Sequence, residues 1–143
     1  MPDAELIAAY RTTSYRILAG DGSTLAEARI DTRSEATDAV LAAHGAASGV
    51  FVTGWNPRSE PTDPAANAAA HDRLERALRD RGIRFLDHVG VGADPSWSEH
   101  GVFALDLDTH AALALADAFA QHAVVLVRIG EPARLLLTDE ERR

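Results

Sequence analysis

The residues of this chain best suited to chemistry lie in FVTGWNPRSEPTDPAAN, residues 51–67, and in one later loop. Phe51-Val52-Thr53 has the character of a buried strand. Trp55, Asn56, Pro57, Arg58 and Ser59 then form a turn before a helix begins. Loops at strand ends, held by a rigid scaffold, commonly carry binding residues. The start of the following helix offers unpaired N–H groups and partial positive charge. Arg58 and Ser59 could hold a carboxylate or phosphate there, with Arg58 supplying a charge-assisted, bidentate contact. Asn56 offers both a donor and an acceptor, which suits an amide or a nucleobase edge. Trp55 offers a face for stacking on a flat ligand. Against this stands ordinary turn chemistry. Asn-Pro initiates turns without any ligand, Trp55 would serve equally in the core, and Asp63 at the helix start repels an anion.

Asn67, His71, Leu74 and Leu78 step by four, three and four residues, so they share one helical face. Leu74 and Leu78 belong in the core, which places Asn67 at the buried end of that stripe, close to the Asn56 turn. A second group lies further on. Gly90 to Gly101 reads as a glycine-rich loop holding Trp97 and Glu99. Glu99 is the candidate general acid or base, provided burial raises its pKa; as a solvated or capping loop carboxylate it would do neither. Gln121 ends a hydrophobic helix and either joins the site or bonds a loop carbonyl.

Other signals point away from chemistry. Asp106, Asp108 and His110 alternate as metal ligands on a strand would, but a strand end and helix cap explain them better. The six histidines show no His-x-x-x-His spacing, and His71 suits a half-buried core position. Arg73, Arg76, Arg79, Arg81 and Arg84 interleave with acids, as on a solvated helix face. Phosphate-binding, dinucleotide-binding and nucleophile-elbow glycine motifs are missing. No metal and no cofactor is expected.

The elements that would position these residues follow from periodicity and punctuation. Residues 3–11 predict a short helix, with Leu6, Ile7 and Tyr10 at helical spacing. Tyr15 to Ala19 and Ala26 to Ile30 predict strands joined through Asp21-Gly22. Ser34 caps a predicted helix to His44 that turns Ala39, Val40 and Ala43 inward, and Val50 to Thr53 predicts a strand. Asp63, Pro64 and Gly82 bound the next helix. Strands are expected over Ile83 to Val89 and Val102 to Leu107. Thr109 to Gln121 predicts a largely buried helix. Val124 to Ile129 and Arg134 to Leu137 close the chain as a hairpin around Gly130-Glu131-Pro132. The order α-β-β-α-β-α-β-β-α-β-β predicts an α/β (mixed α+β) fold: one mixed, largely antiparallel sheet packed by about three main helices.

The totals set outer bounds. A chain of 143 residues suits a single globular domain, residues 1–143. Without cysteine there is no disulfide framework and no thiolate chemistry. A formal charge of −8 disfavours nucleic acid as a bulk partner, because phosphate neutralisation dominates such binding. All 14 basic residues are arginine, a bias that weakens each arginine as a sign of selected recognition. Nothing reads as a signal peptide, and no apolar run approaches the roughly 18 residues of a membrane span. The expectation is a soluble cytoplasmic protein with no membrane partner, a small polar ligand as candidate partner, and homo-oligomerisation left open.

FVTGWNPRS, the helix bearing Asn67, and RLERALRDRG together resemble a bacterial domain of unknown function, the family numbered 3293. WSEHGVFAL and ALADAFAQHAVVLVRIGEPARLLL are similar to later segments of the same family, so the resemblance covers roughly residues 3–137. It implies that Asn56, Pro57, Ser59, Asn67, Trp97, Glu99 and Gln121 occupy the family's motif positions. Gly54 stands where alanine is usual and Gly101 where serine is usual. The resemblance implies no reaction. The function expected is binding of a small polar or nucleotide-like ligand, with or without catalysis, at the Asn-Pro-x-Ser turn. The alternative is a non-enzymatic interaction or regulatory module.

Overall fold

The computed structural model describes residues 4–138, the Arg58 side chain excepted. Four α-helices, one 3₁₀ turn and seven strands follow the predicted order. They are α1 (Ala4–Arg11), β1 (Ser14–Leu18), β2 (Thr24–Ala28), α2 (Glu35–Ala43), β3 (Ser48–Thr53), the 3₁₀ turn (Pro57–Ser59), α3 (Pro64–Asp80), β4 (Phe85–Val91), β5 (Ser98–Leu105), α4 (Thr109–Ala118), β6 (Ala123–Arg128) and β7 (Arg134–Leu137).

One sheet takes all seven strands in the order β2-β1-β4-β5-β3-β6-β7, and each of its ladders is antiparallel. The sheet curls until its two edges meet. Ile30, just past β2, forms a parallel bridge with Ala133, just before β7. The Asp31 N–H donates to the Ala133 carbonyl at 2.8 Å and fastens that corner.

Alternation along the strands divides the core in two. Tyr15, Ile17, Phe51, Phe103, Val125 and Val127 face one side, with Leu41 of α2 and Tyr10 of α1 packed over them. Val50, Val52, Val102, Ala104, Val124 and Leu126 face the other, under Leu74 and Leu78 of α3 and the apolar side of α4. Central strands buried on both faces explain the unbroken apolar runs in their sequence.

Several local expectations need correction. In α2 the inward residues are Thr37, Asp38 and Leu41, while Ala39 and Ala43 are exposed and Val40 is half-buried. Small alanines on the outer face had obscured which stripe turns inward. Ser34 does cap α2, accepting from the Thr37 N–H at 3.1 Å. Helix α4 is capped by Asp108, which accepts from the Ala111 N–H at 2.8 Å, and stops at Ala118, so Gln121 lies beyond it. The long loop predicted over 90–101 is half strand: β4 runs to Val91 and β5 starts at Ser98, which puts Glu99 on a strand. Glycine and serine hid this pairing, because their small side chains carry little strand propensity.

Candidate functional site

Two cross-strand rows create a hollow in the Tyr15 face of the sheet. Tyr15 of β1 pairs with Gly90 of β4, and Gly90 pairs with Glu99 of β5. A glycine between a tyrosine and a glutamate leaves the middle of that row empty. In the next row, Ile17 pairs with His88, and His88 pairs with Gly101. The His88 imidazole lies over Gly101, where an added Cβ would come within 2.5 Å of its Cε1 and 2.3 Å of the Val52 carbonyl. Glycine at 101 is therefore a packing requirement.

The hollow is a cavity of about 380 Å³. Its floor includes Phe51, Tyr15 and His88, and α1 closes one side with Leu6, Ala9 and Tyr10. Ser59, Glu99, Trp97 and Gln121 are also part of the lining. Trp97, 39% exposed, stands on the loop between β4 and β5.

The Asn-Pro-x-Ser turn builds part of this wall from behind. Thr53 donates to the His100 carbonyl at 2.6 Å and accepts from the Trp55 N–H at 3.0 Å, tying the end of β3 to β5. Asn56 then enters the left-handed region at φ 46°, a conformation asparagine tolerates better than most residues. Its N–H donates to Asn67 Oδ1 at 2.9 Å, and its Oδ1 accepts from Asn67 Nδ2 and from the Thr62 N–H, each at 3.0 Å. Its Nδ2 donates to Glu99 Oε2 at 2.9 Å. Asn56 and Asn67 are both buried, so the two amides form a saturated pair with Glu99 at its end. Neither asparagine lines the cavity: they set the carboxylate that does. Among the described residues, the Glu99 carboxylate has no other hydrogen bond and no ion-pair partner. Burial pushes its carboxyl above the usual carboxylate range, and the bond from Asn56 pulls partly back.

Ser59, also left-handed at φ 63°, hydrogen-bonds the Tyr10 phenol and so joins the turn to α1. Burial raises the Tyr10 phenol, the Ser59 bond lowers it, and the nearby Glu99 charge raises it again. The Tyr15 hydroxyl donates to the Tyr10 carbonyl at 3.4 Å. His88 lies on the Val102 carbonyl through Nδ1 at 2.8 Å, and burial holds its pKa down at about 3, so it is neutral.

The remaining predicted residues are placed as follows. Gln121 lines the cavity and donates Nε2 to the Trp55 carbonyl at 3.0 Å, clipping the turn to the end of α4. Trp55 stands outside the lining and packs on His100, with ring centroids 5.1 Å apart. The backbone of Arg58 lies in the 3₁₀ turn, and its side chain lies outside the described set. Tyr10, Tyr15 and His88 escaped the sequence reading. His88 was the most legible of them: it is the inward polar member of an alternating strand.

Asp106, Asp108 and His110 are not brought together as a ligand group among the described residues. Asp106 accepts from the Ala47 and Ser48 N–H groups, and Asp108 caps α4. His71, Glu75 and Asp87 on the opposite face do bring one ligand atom each within 4.8 Å of the others. His71 Nε2 faces Glu75 at 3.6 Å, while Nδ1 is buried with no partner. A metal-bound imidazole normally donates its other N–H to an acceptor, so this geometry suits a histidine–glutamate contact better than a metal.

Residues 52–124, half of the chain, match the family described as "Protein of unknown function (DUF3293)". The chain belongs to this family. The match spans the Asn56 turn, the Asn67 helix, Trp97, Glu99 and Gln121, so this DUF3293 protein carries the whole polar relay within the family region. No curated protein and no solved structure matches the chain. No helix of the described residues is long and apolar enough to cross a membrane.

Proposed function

We propose that this DUF3293 protein binds a small, flat, polar molecule of about nucleobase size in the cavity between α1 and the curled sheet. One observation carries the reading. A cavity of about 380 Å³, within the range of small-molecule sites, combines aromatic walls with a few convergent polar groups: Glu99, Ser59, Tyr10 and Gln121. If the bound molecule is also transformed, Glu99 is the group placed to exchange a proton, because it is desolvated and held at one oxygen only. The interaction-module alternative finds less support. The large exposed apolar side chains among the described residues, Leu25, Trp97 and Ile129, stand on three separate elements.

The test is a thermal-shift screen of nucleobases, nucleosides and small metabolites on wild type and Gly90→Leu. Position 90 has ordinary clearance for a Cβ, 3.5 Å from Thr13 Cγ2, so a leucine is rooted there without a backbone clash and its remaining atoms are intended to occupy the cavity. A hit should stabilise wild type and lose its effect on Gly90→Leu. A hit that stabilises both proteins equally would place binding elsewhere.

A further inference from the structure

Among the described residues, the charges around the cavity are one-sided. Glu99 supplies a desolvated carboxylate whose second oxygen has no hydrogen-bond partner among the described residues. Asp94 adds a second acid at the exposed rim. The described lining holds no arginine, the chain has no lysine, and the one imidazole there is held neutral. A part-buried carboxylate without a cationic partner is a liability to folding unless something else pairs with it. Around it stand the rings of Tyr10, Tyr15, Phe51 and Trp97. The faces of such rings attract cations, and desolvation strengthens that attraction.

Most of the backbone donors that the turn could offer an anion are already taken. In the turn, the N–H groups of Ser59 and Glu60 bond carbonyls within it, and those of Asn56 and Thr62 bond the two asparagine side chains. At the start of α3, Pro64 has no N–H, and the Asn67 N–H bonds the Asp63 carbonyl. Asp63 adds a carboxylate beside that start.

Resting on the cavity-binding reading above, we propose that the molecule recognised is an organic cation, an amine or quaternary ammonium on a flat or aromatic body. Its charged end sits against the free oxygen of Glu99 and its body lies among the tyrosine, phenylalanine and Trp97 rings. Asn56 acts as the positioning residue, fixing the other carboxylate oxygen so that the free one faces the cavity.

The experiment compares four probes by calorimetric titration and saturation-transfer NMR: 2-phenylethylammonium, tetramethylammonium, neutral 2-phenylethanol and anionic phenylacetate. The proteins are wild type, Glu99→Gln, Trp97→Ala, Arg58→Ala and Gly90→Leu. Glu99→Gln keeps an oxygen for Asn56, so it should fold as wild type does. The two cations should bind wild type more tightly than the alcohol and the acid. Their affinity should drop roughly tenfold or more in Glu99→Gln, the scale of one charge-assisted contact, with the alcohol unaffected. Trp97→Ala should weaken the aryl cation, and Arg58→Ala should leave both cations unchanged. Tighter binding of phenylacetate, lost in Arg58→Ala, would overturn the cation proposal and leave cavity binding intact. Equal binding of alcohol and amine, or cation affinity unchanged in Glu99→Gln, would do the same. If no probe of any charge contacts wild type, or all bind Gly90→Leu as well, the cavity-binding reading falls together with the proposal.

Discussion

Replacing Asn67 by alanine should cost about 2 kcal/mol of stability, and the value follows from what each partner is left with. The Asn67 side chain makes three hydrogen bonds: it accepts from the Asn56 N–H at 2.9 Å and donates to Asn56 Oδ1 at 3.0 Å and to the Thr62 carbonyl at 3.3 Å. Thr62 is half-exposed, so water replaces that bond at little cost. Asn56 Oδ1 keeps the Thr62 N–H. The Asn56 N–H is left buried with no acceptor, and such a group costs about 1–3 kcal/mol. For a chain of this length a loss of about 2 kcal/mol lowers Tm by roughly 6–8 °C and the urea midpoint by about 1 M, with the slope unchanged.

Two companions sharpen the test. Asn67→Asp keeps the acceptor for the Asn56 N–H but sets an oxygen against Asn56 Oδ1 and the Thr62 carbonyl. Its penalty should grow as pH rises through the aspartate range, whereas that of Asn67→Ala should not. In a double-mutant cycle, Asn56→Ala and Asn67→Ala should cost less together than the sum of the two, because each orphans groups of the other. A urea midpoint unchanged in Asn67→Ala, or strictly additive costs, would refute the reasoning.

Three further outcomes can be checked. Gly101→Ala should destabilise by about 1–3 kcal/mol, since its Cβ would lie 2.3 Å from the Val52 carbonyl, whereas Gly90→Ala, with 3.5 Å clearance, should change stability by less than about 1 kcal/mol. His88 titrates at about 3 when folded against 6.5 ordinarily, so between those values the unfolded chain binds a proton the folded one refuses. Stability from this group should be constant above pH 6.5 and fall below it, by up to about 1.4 kcal/mol per pH unit. The raised carboxyl of Glu99 slopes the opposite way above its ordinary value of 4.5, so urea midpoints of His88→Gln and wild type should be differenced across pH 4–7. A parallel pair of curves would sink the assignment. Tyr10→Phe removes the phenol that Ser59 bonds and should loosen α1, read as faster amide exchange in residues 4–11 than in β1.

Element order was legible because each element carries its own punctuation. Pro64 and Gly82 bracket α3, and Ser34 caps α2. The apolar runs of β3 and β6 announce strands covered on both sides. Asn67 was placed near Asn56 by helical spacing alone, and the two bond directly. Strand order was not legible. β3 inserts between β5 and β6, a long-range choice that local pattern does not encode. For the same reason the full lining of the cavity was not legible. It depends on Gly90 falling between Tyr15 and Glu99, which is a fact of register across three strands. Helix α1 buries no residue fully, so its pattern gave no hint that it closes a wall.

Local rules are broken near the cavity more than elsewhere, and the exceptions are of different kinds. Five non-glycine residues among those described have positive φ: Asp31, Asn56, Ser59, Asp106 and Ala120. Asp106 is accounted for by its bonds to the Ala47 and Ser48 N–H groups, and Asp31 sits where the sheet edges are fastened. The other three surround one wall. Asn56 orients Glu99, Ser59 reaches Tyr10, and Ala120 turns the chain so that Gln121 returns to the Trp55 carbonyl. Backbone in sparsely populated regions persists only where the surroundings enforce it. The same wall carries a desolvated carboxylate without a cationic partner among the described residues, and behind it, outside the lining, lies the unbonded, buried indole Nε1 of Trp55. An ordinary strand-to-helix turn needs none of these, since an apolar side chain at 99 and an unstrained turn would fold at lower cost. Strain and desolvation are independent penalties. Their convergence around Ser59, Glu99 and Gln121, which line one cavity, supports the proposed binding site over turn chemistry alone.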